Sequence, residues 1–175
     1  MSKNKAVVVG SLGVIGRYIA DRLVAAGDWE IVGLSRRTAD SSPRFRHISV
    51  DLLDTADVKK KLAGPSAGLD DVTHVFYAAF QALPATGNAA NFAANIAPNR
   101  DMLINSVTAV DMTSKRLKRV VLVTGTKYYG SHLGPFKTPA RESEPRHIGP
   151  NYYFDQIDWL TGFQHGKPWS WTELR

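Results

Sequence analysis

Four consecutive apolar residues, Ala6-Val7-Val8-Val9, run into a glycine turn, Gly10-Ser11-Leu12-Gly13-Val14-Ile15-Gly16. The stretch from Arg17 to Val24 then places its apolar positions at helical spacing. A short unbroken apolar run fits a strand covered on both faces, and the period after it fits an amphipathic helix. The alternation continues down the chain. Gly27-Asp28 stops the first helix, and Trp29-Glu30-Ile31-Val32-Gly33-Leu34 reads as a second strand ending in Ser35-Arg36-Arg37. Phe45 to Val50 reads as a third strand, followed by Asp51-Leu52. A helix then spans Thr55 to Leu62-Ala63, capped by Asp54 or Thr55 and closed by Gly64-Pro65. Val72 to Tyr77 gives a fourth strand, with the small residues Ala78-Ala79 at its end. Residues 81–95, rich in Ala, Asn and Gly, have weak periodicity and read as a loop. A long helix with Leu103, Val107 and Val110 on one face is expected to reach Lys118, and Val120-Val121-Leu122-Val123-Thr124 is a fifth, fully buried strand. Another helix opens at Asn151, and Trp169 and Trp171, two positions apart, are expected on one face of a sixth strand.

Strands alternating with helices mean parallel pairing through right-handed crossovers, so the predicted fold is α/β, a doubly wound parallel sheet of the Rossmann type in the order 3-2-1-4-5-6. With 175 residues the chain is expected to form one domain, spanning residues 1–175 and binding NAD(P), and no internal repeat interrupts it.

The glycine turn carries the first chemistry. Gly10 permits a tight turn, Gly13 lets backbone N–H groups approach a pyrophosphate, and Gly16 lets the helix sit close on the sheet. The spacing is GxxGxxG, and three glycines at such a junction can also serve packing alone; the valine run before them and the amphipathic helix after them favour the dinucleotide reading. The end of the second strand selects the cofactor. A carboxylate there would hold a ribose 2′-hydroxyl, whereas arginine accommodates a 2′-phosphate. Here Ser35 is followed by Arg36 and Arg37 with no acid, which favours NADPH over NAD, against the plainer reading of two exposed loop arginines. Cofactor contacts are therefore expected from Gly10, Leu12, Gly13, Val14, Gly16, Ser35, Arg36, Arg37, Asp51, Leu52, Ala78, Ala79 and Thr124. His47 reads as a surface strand residue.

Composition narrows the alternatives. Hydrophobic content of 43% with 22% charged residues is that of a globular protein, and no apolar run is long enough to span a membrane. The formal charge of +6 is dispersed, with short clusters at Lys59-Lys60-Lys61 and Lys115 to Arg119, so a phosphate-bearing ligand is expected and nucleic acid is not. Cysteine is absent, which rules out disulfides and thiolate metal sites, and no metal is expected. Met1 to Lys5 leads straight into the first strand, so a cytoplasmic location is expected.

The segment Gly125-Thr126-Lys127-Tyr128-Tyr129-Gly130 follows the fifth strand, at the edge where open α/β sheets bind ligands. Together the motifs GSLGVIG, GLSRR, DVTHVFYAAF, VTGTKYYGSHLGPF, NYYFDQID and KPWSWTELR resemble the progesterone 5β-reductase and iridoid synthase-like family of atypical extended short-chain dehydrogenases/reductases. The resemblance runs from about Lys5 to the last residue. It implies reduction of the activated double bond of an enone by an NADPH hydride, with Tyr153 near the carbonyl oxygen and Lys127 supplied by the loop after the fifth strand.

Elementary chemistry agrees with those two roles. A phenol of pKa about 10 is a poor oxyanion partner until a nearby cation favours its ionised form or fixes its position. In relatives with a YxxxK motif the lysine lies four residues after the tyrosine, where this chain has Ile157, which supports the atypical arrangement. Tyr129 and Tyr152 are assigned to packing or to the substrate wall. Leu12 stands where the family often has threonine, and Val123 where a polar residue often meets the nicotinamide side.

Family members continue for about as long again beyond Arg175, so the chain is expected to be the cofactor-binding half of a longer reductase of enone or related carbonyl compounds. The tryptophan face of the sixth strand is then expected to lack cover, which invites association, with a homodimer as one form. A non-catalytic dinucleotide-binding or redox-sensing module and a sugar-nucleotide epimerase or dehydratase stand as the competing classes.

Overall fold

A computed structural model of the chain describes residues 4–82 and 93–175. Six strands form a parallel sheet: β1 (Asn4–Val9), β2 (Trp29–Ser35), β3 (Phe45–Ser49), β4 (His74–Tyr77), β5 (Arg119–Val123) and β6 (Ser170–Leu174). Their order is β3-β2-β1-β4-β5-β6, as the alternation of elements predicts. Among the described residues four α-helices connect them: α1 (Val14–Ala26), α2 (Thr55–Leu62), α3 (Ile96–Thr113) and α4 (Tyr152–Gln164). A short 3-10 turn, Thr126–Tyr129, follows β5.

Successive residues of a strand face opposite sides. Val7 and Val9 of β1 accordingly enter the main core, with Val58 and Leu62 of α2, Leu103 and Val107 of α3 and Leu160 of α4. Ala6 and Val8 enter a smaller core beneath α1, with Ala20 and Ile31. Both faces of the central strands are thereby covered, which is why their sequences are apolar at every position rather than at alternate ones.

Two expected boundaries move. The fourth strand begins at His74 instead of Val72, because Thr73 is taken up by Lys5: its N–H donates to the Lys5 carbonyl at 2.8 Å, and its Oγ1 accepts from the Lys5 N–H at 3.0 Å. The long helix stops at Thr113, short of Lys118. There the Ser114 hydroxyl donates to the Val72 carbonyl at 2.7 Å and accepts from the Arg116 N–H at 3.1 Å, which turns the chain toward β5. The basic cluster from Lys115 to Arg119 is thus a connection and the start of a strand, not a helix end. Most of the expected 81–95 loop, residues 83–92, lies outside the described residues.

The tryptophan face differs more. Trp169 lies just before β6, is 3% exposed and donates its indole N–H to Asp111 Oδ1 at 2.7 Å. Trp171 is half-buried against the same core. Both indoles therefore sit on the side that α3 and α4 cover, and the expectation of an uncovered tryptophan face is not met.

Burial pushes the imidazoles of His47, His74 and His132 below their ordinary pKa of 6.5, with Lys118 and Arg119 adding to the effect at His74. The unfolded chain binds protons on these groups at higher pH than the folded one, so their neutral state stabilises the fold fully above pH 6.5 and that contribution is lost as pH falls below it. We expect a lower melting temperature at about pH 5.5 than at about pH 7.5, measured by circular dichroism; substituting His74 by phenylalanine should shrink the difference.

Candidate active site

The carboxyl ends of β1, β2 and β4 open on a cleft of about 440 Å³. The glycine turn forms one wall, and two of its glycines are required by close approach. Gly10 has φ +82°, and a Cβ on it would lie 2.8 Å from the Ala79 Cα; a Cβ on Gly16 would lie 2.2 Å from the Gly10 carbonyl oxygen. The N–H groups of Gly10 and Ser11 both donate to the Leu34 carbonyl, at 2.9 and 3.2 Å, which pins the turn to the end of β2. Gly13 occupies the N-cap of α1, so the first N–H groups of the helix and the positive end of its dipole face the cleft, a ready site for an anion.

A second wall comes from Ser35, Arg36 and Arg37. Arg37 donates to the Leu12 carbonyl of the glycine turn. Ser35 Oγ donates to the Arg37 carbonyl at 2.9 Å and lies 3.0 Å from His47 Nε2. His47 is thus not an idle surface residue of β3.

Of the cofactor residues expected from the sequence, Gly10, Gly13, Val14, Ser35, Arg36, Arg37, Leu52, Ala78 and Ala79 line this cleft. Four do not. Leu12 lines a neighbouring hollow of about 350 Å³ on the far side of the turn, with Arg17 and Phe45. Gly16 is buried and serves the close approach of helix and turn. The Asp51 carboxylate accepts from the Leu53 N–H at 3.0 Å, a local turn contact. Thr124 is 7% exposed and donates to Glu173 Oε1 at 2.9 Å, so its side chain is committed to β6.

The sequence reading missed Ile15, Leu34, Val50, Phe80, Gln81 and Met102 as lining residues. Leu34 and Val50 sit at strand ends, a position that could have signalled them. Met102 arrives from α3 and carries no local signal. Gln81 is held by Asn99, whose Oδ1 accepts from the Gln81 N–H and whose Nδ2 donates to the Gln81 carbonyl, both at 2.9 Å. That side chain takes the place of a neighbouring strand for the backbone just after β4.

At the end of the cleft, Phe80 joins its lining to the catalytic candidates. Its ring stacks on Tyr152 with centroids 5.3 Å apart, and the Lys127 Nζ lies 5.1 Å from its centroid. The rings of Tyr152 and Tyr153 are 4.3 Å apart, and the Tyr153 hydroxyl lies 3.6 Å from where a Cβ on Gly125 would stand. That is an ordinary van der Waals distance, so the hydroxyl sits against the end of β5 without crowding it. Tyr152 is more than a wall: burial above all, and a hydrogen bond with the Tyr153 side chain, hold its phenol protonated well above the usual range. Ile157, at the position of the usual motif lysine, is packed into the main core.

Asn151 ties the two catalytic candidates together. It is 1% exposed. Its Oδ1 accepts from the Tyr153 N–H at 3.0 Å as the cap of α4, while its Nδ2 donates to the Lys127 carbonyl at 2.7 Å and to His147 Nε2 at 3.1 Å. We expect Asn151→Ala to destabilise the fold by about 2 kcal/mol, the sum of a lost cap and a part-buried carbonyl left without its donor. Asn151→Asp should recover only the cap; urea unfolding of both variants checks this.

Among the described residues no group of three or more possible ligand side chains is arranged to hold a metal ion, and no helix is long and apolar enough to cross a membrane.

A family model described as a PRISE-like Rossmann-fold domain matches residues 35–175. The chain is 31% identical, over 97% of its length and 45% of the relative's, to a short-chain dehydrogenase of Penicillium aethiopicum. It is 33% identical, over 94% of its length and 44% of the relative's, to an (S)-8-oxocitronellyl enol synthase of Nepeta cataria. It is 32% identical, over 89% of its length and 40% of the relative's, to the 3-oxo-Δ4,5-steroid 5β-reductase of Arabidopsis thaliana. The chain thus spans less than half the length of these relatives. Among solved structures, it aligns over 98% of its length with 52% of the UDP-glucose 4-epimerase of Bifidobacterium longum bound to NAD+ and UDP, with a TM-score of 0.73 at 18% identity. A short-chain dehydrogenase/reductase superfamily protein of Agrobacterium tumefaciens with bound NAD aligns over 98% of this chain and 48% of its own, with a TM-score of 0.70 at 18% identity. These two likenesses establish the fold.

Proposed function

The chain belongs to the PRISE-like Rossmann-fold domain family, and from that premise we propose that it binds NADPH at the carboxyl edge of its sheet as the cofactor-binding part of a reductase of enones or related carbonyl compounds. The observation that carries this reading is the continuity of one cleft, from Arg36 and Arg37, past the glycine turn, to Phe80, on whose ring the Lys127 ammonium rests. The residues present fit the cofactor. Gly10 and Gly13 with the start of α1 suit the pyrophosphate, the two arginines suit a 2′-phosphate, and Ala78 and Ala79 leave room for the nicotinamide ribose.

Bound NADPH supplies the hydride. The chain's own residues manage the charge that hydride addition leaves on the substrate oxygen, where Tyr153 offers an O–H donor to the developing enolate. Lys127 brings its positive charge to this end of the cleft, against the Phe80 and Tyr152 rings, and Asn151 keeps its loop in register with Tyr153.

Fluorescence titration of the chain with NADPH and NADH tests the binding part of this reading, with tighter NADPH binding expected. Equal affinities would refute it. The reductase part is tested by NADPH consumption in the presence of a small enone, using a protein that spans the length of the relatives.

A further inference from the structure

The arginine segment after β2 is held by β3, and the hold is specific. In the sheet Ser35 pairs with Ser49 and Gly33 with His47. Being two residues apart on β3, His47 and Ser49 present side chains to the same face. The Ser49 hydroxyl donates to the Arg36 carbonyl at 2.9 Å. His47 Nε2 lies 3.0 Å from Ser35 Oγ, and that hydroxyl donates to the Arg37 carbonyl at 2.9 Å. A serine hydroxyl has one hydrogen, here spent on Arg37, so the imidazole must be the donor in the pair. Burial keeps His47 below its ordinary pKa of 6.5, which leaves it neutral at pH 7 with its single N–H on Nε2. The His47 N–H of the backbone is in turn fixed by Ser41 Oγ at 3.0 Å. Three successive residues of the arginine segment are thereby anchored, and Arg37 is braced further on the Leu12 carbonyl.

We infer that His47 and Ser49 are positioning residues that set the preference for NADPH over NADH, by holding Arg36 and Arg37 in the geometry that a 2′-phosphate requires. The inference rests on the reading that the cleft takes NADPH. A charged hydrogen bond depends on geometry, and an arginine fixed in advance loses less freedom on binding than one on a loose segment. NADH has a hydroxyl in place of that phosphate, so it draws little from the anchoring.

The test is the ratio of NADPH to NADH affinities, measured by fluorescence titration of the purified chain and of His47→Phe, His47→Gln, Ser49→Ala and His74→Phe. His47→Phe keeps a ring and loses the donor; it should lower the ratio about five- to tenfold, as should Ser49→Ala. His47→Gln restores an N–H donor of similar reach and should bring the ratio back to within about twofold of the parent. His74→Phe, at the amino end of β4, removes another partly buried imidazole and should leave the ratio unchanged. If His47→Phe fails to fold, Ser49→Ala, which removes one hydroxyl, decides the matter. A parent that prefers NADPH, with His47→Phe and Ser49→Ala keeping that preference, overturns the inference while sparing the cofactor reading. A parent with no preference overturns both.

Discussion

Replacing Arg36 and Arg37 together by alanine is expected to remove most of the difference between NADPH and NADH binding. A charged contact to phosphate is worth about 1.5 to 3 kcal/mol, so the double variant should lose roughly ten- to a hundredfold in NADPH affinity. The two guanidinium groups line the same cleft as the glycine turn, and no carboxylate accompanies them at the end of β2. A free 2′-hydroxyl therefore has no acidic partner there, and the double change gives NADH nothing new to bind. The single variants separate the contributions. Arg37 also braces the turn through the Leu12 carbonyl, so Arg37→Ala should weaken both dinucleotides, whereas Arg36→Ala should weaken NADPH alone. Equal losses for both cofactors in Arg36→Ala would remove the 2′-phosphate role from that residue.

The second large effect concerns Tyr153. In a protein of the relatives' length, Tyr153→Phe should lower turnover by about a hundred- to a thousandfold, the cost of removing one donor from a developing oxyanion. NADPH affinity should stay nearly the same, because the hydroxyl acts at the substrate oxygen and not on the phosphates. Tyr152→Phe should give a smaller loss, through the hydrogen bond that its protonated phenol shares with Tyr153. Steady-state kinetics on a small enone, with a separate cofactor titration, distinguishes these outcomes. Full activity in Tyr153→Phe on every enone tried would move the chain toward the non-catalytic, dinucleotide-sensing class.

Element types and sheet order were legible in the sequence because they follow from local pattern. Apolar runs such as Ala6 to Val9 and Val120 to Leu122 must be covered on both faces, and the helices between them leave only a parallel arrangement. The glycine turn was legible for the same reason: close backbone approach excludes a side chain at Gly10 and Gly16, and the chain must spell that out in glycine. Family motifs singled out Lys127 and Tyr153 as candidates, two residues that their spacing does not connect and that the fold links through Asn151.

Tertiary structure alone decided which long-range partner each polar group takes. Nothing local in Thr124 states that its hydroxyl is spent on Glu173, nor in Trp169 that its indole is covered and bound by Asp111. The same holds for Asn99 standing in for a strand beside Gln81, for Asn151 joining the Lys127 loop to α4, and for His47 reaching Ser35. Hydrophobic burial depends on periodicity, which a single segment carries in its own residues. A side-chain hydrogen bond depends on angstrom-scale positions of groups far apart in the chain, and these exist only once the sheet has brought its edges together.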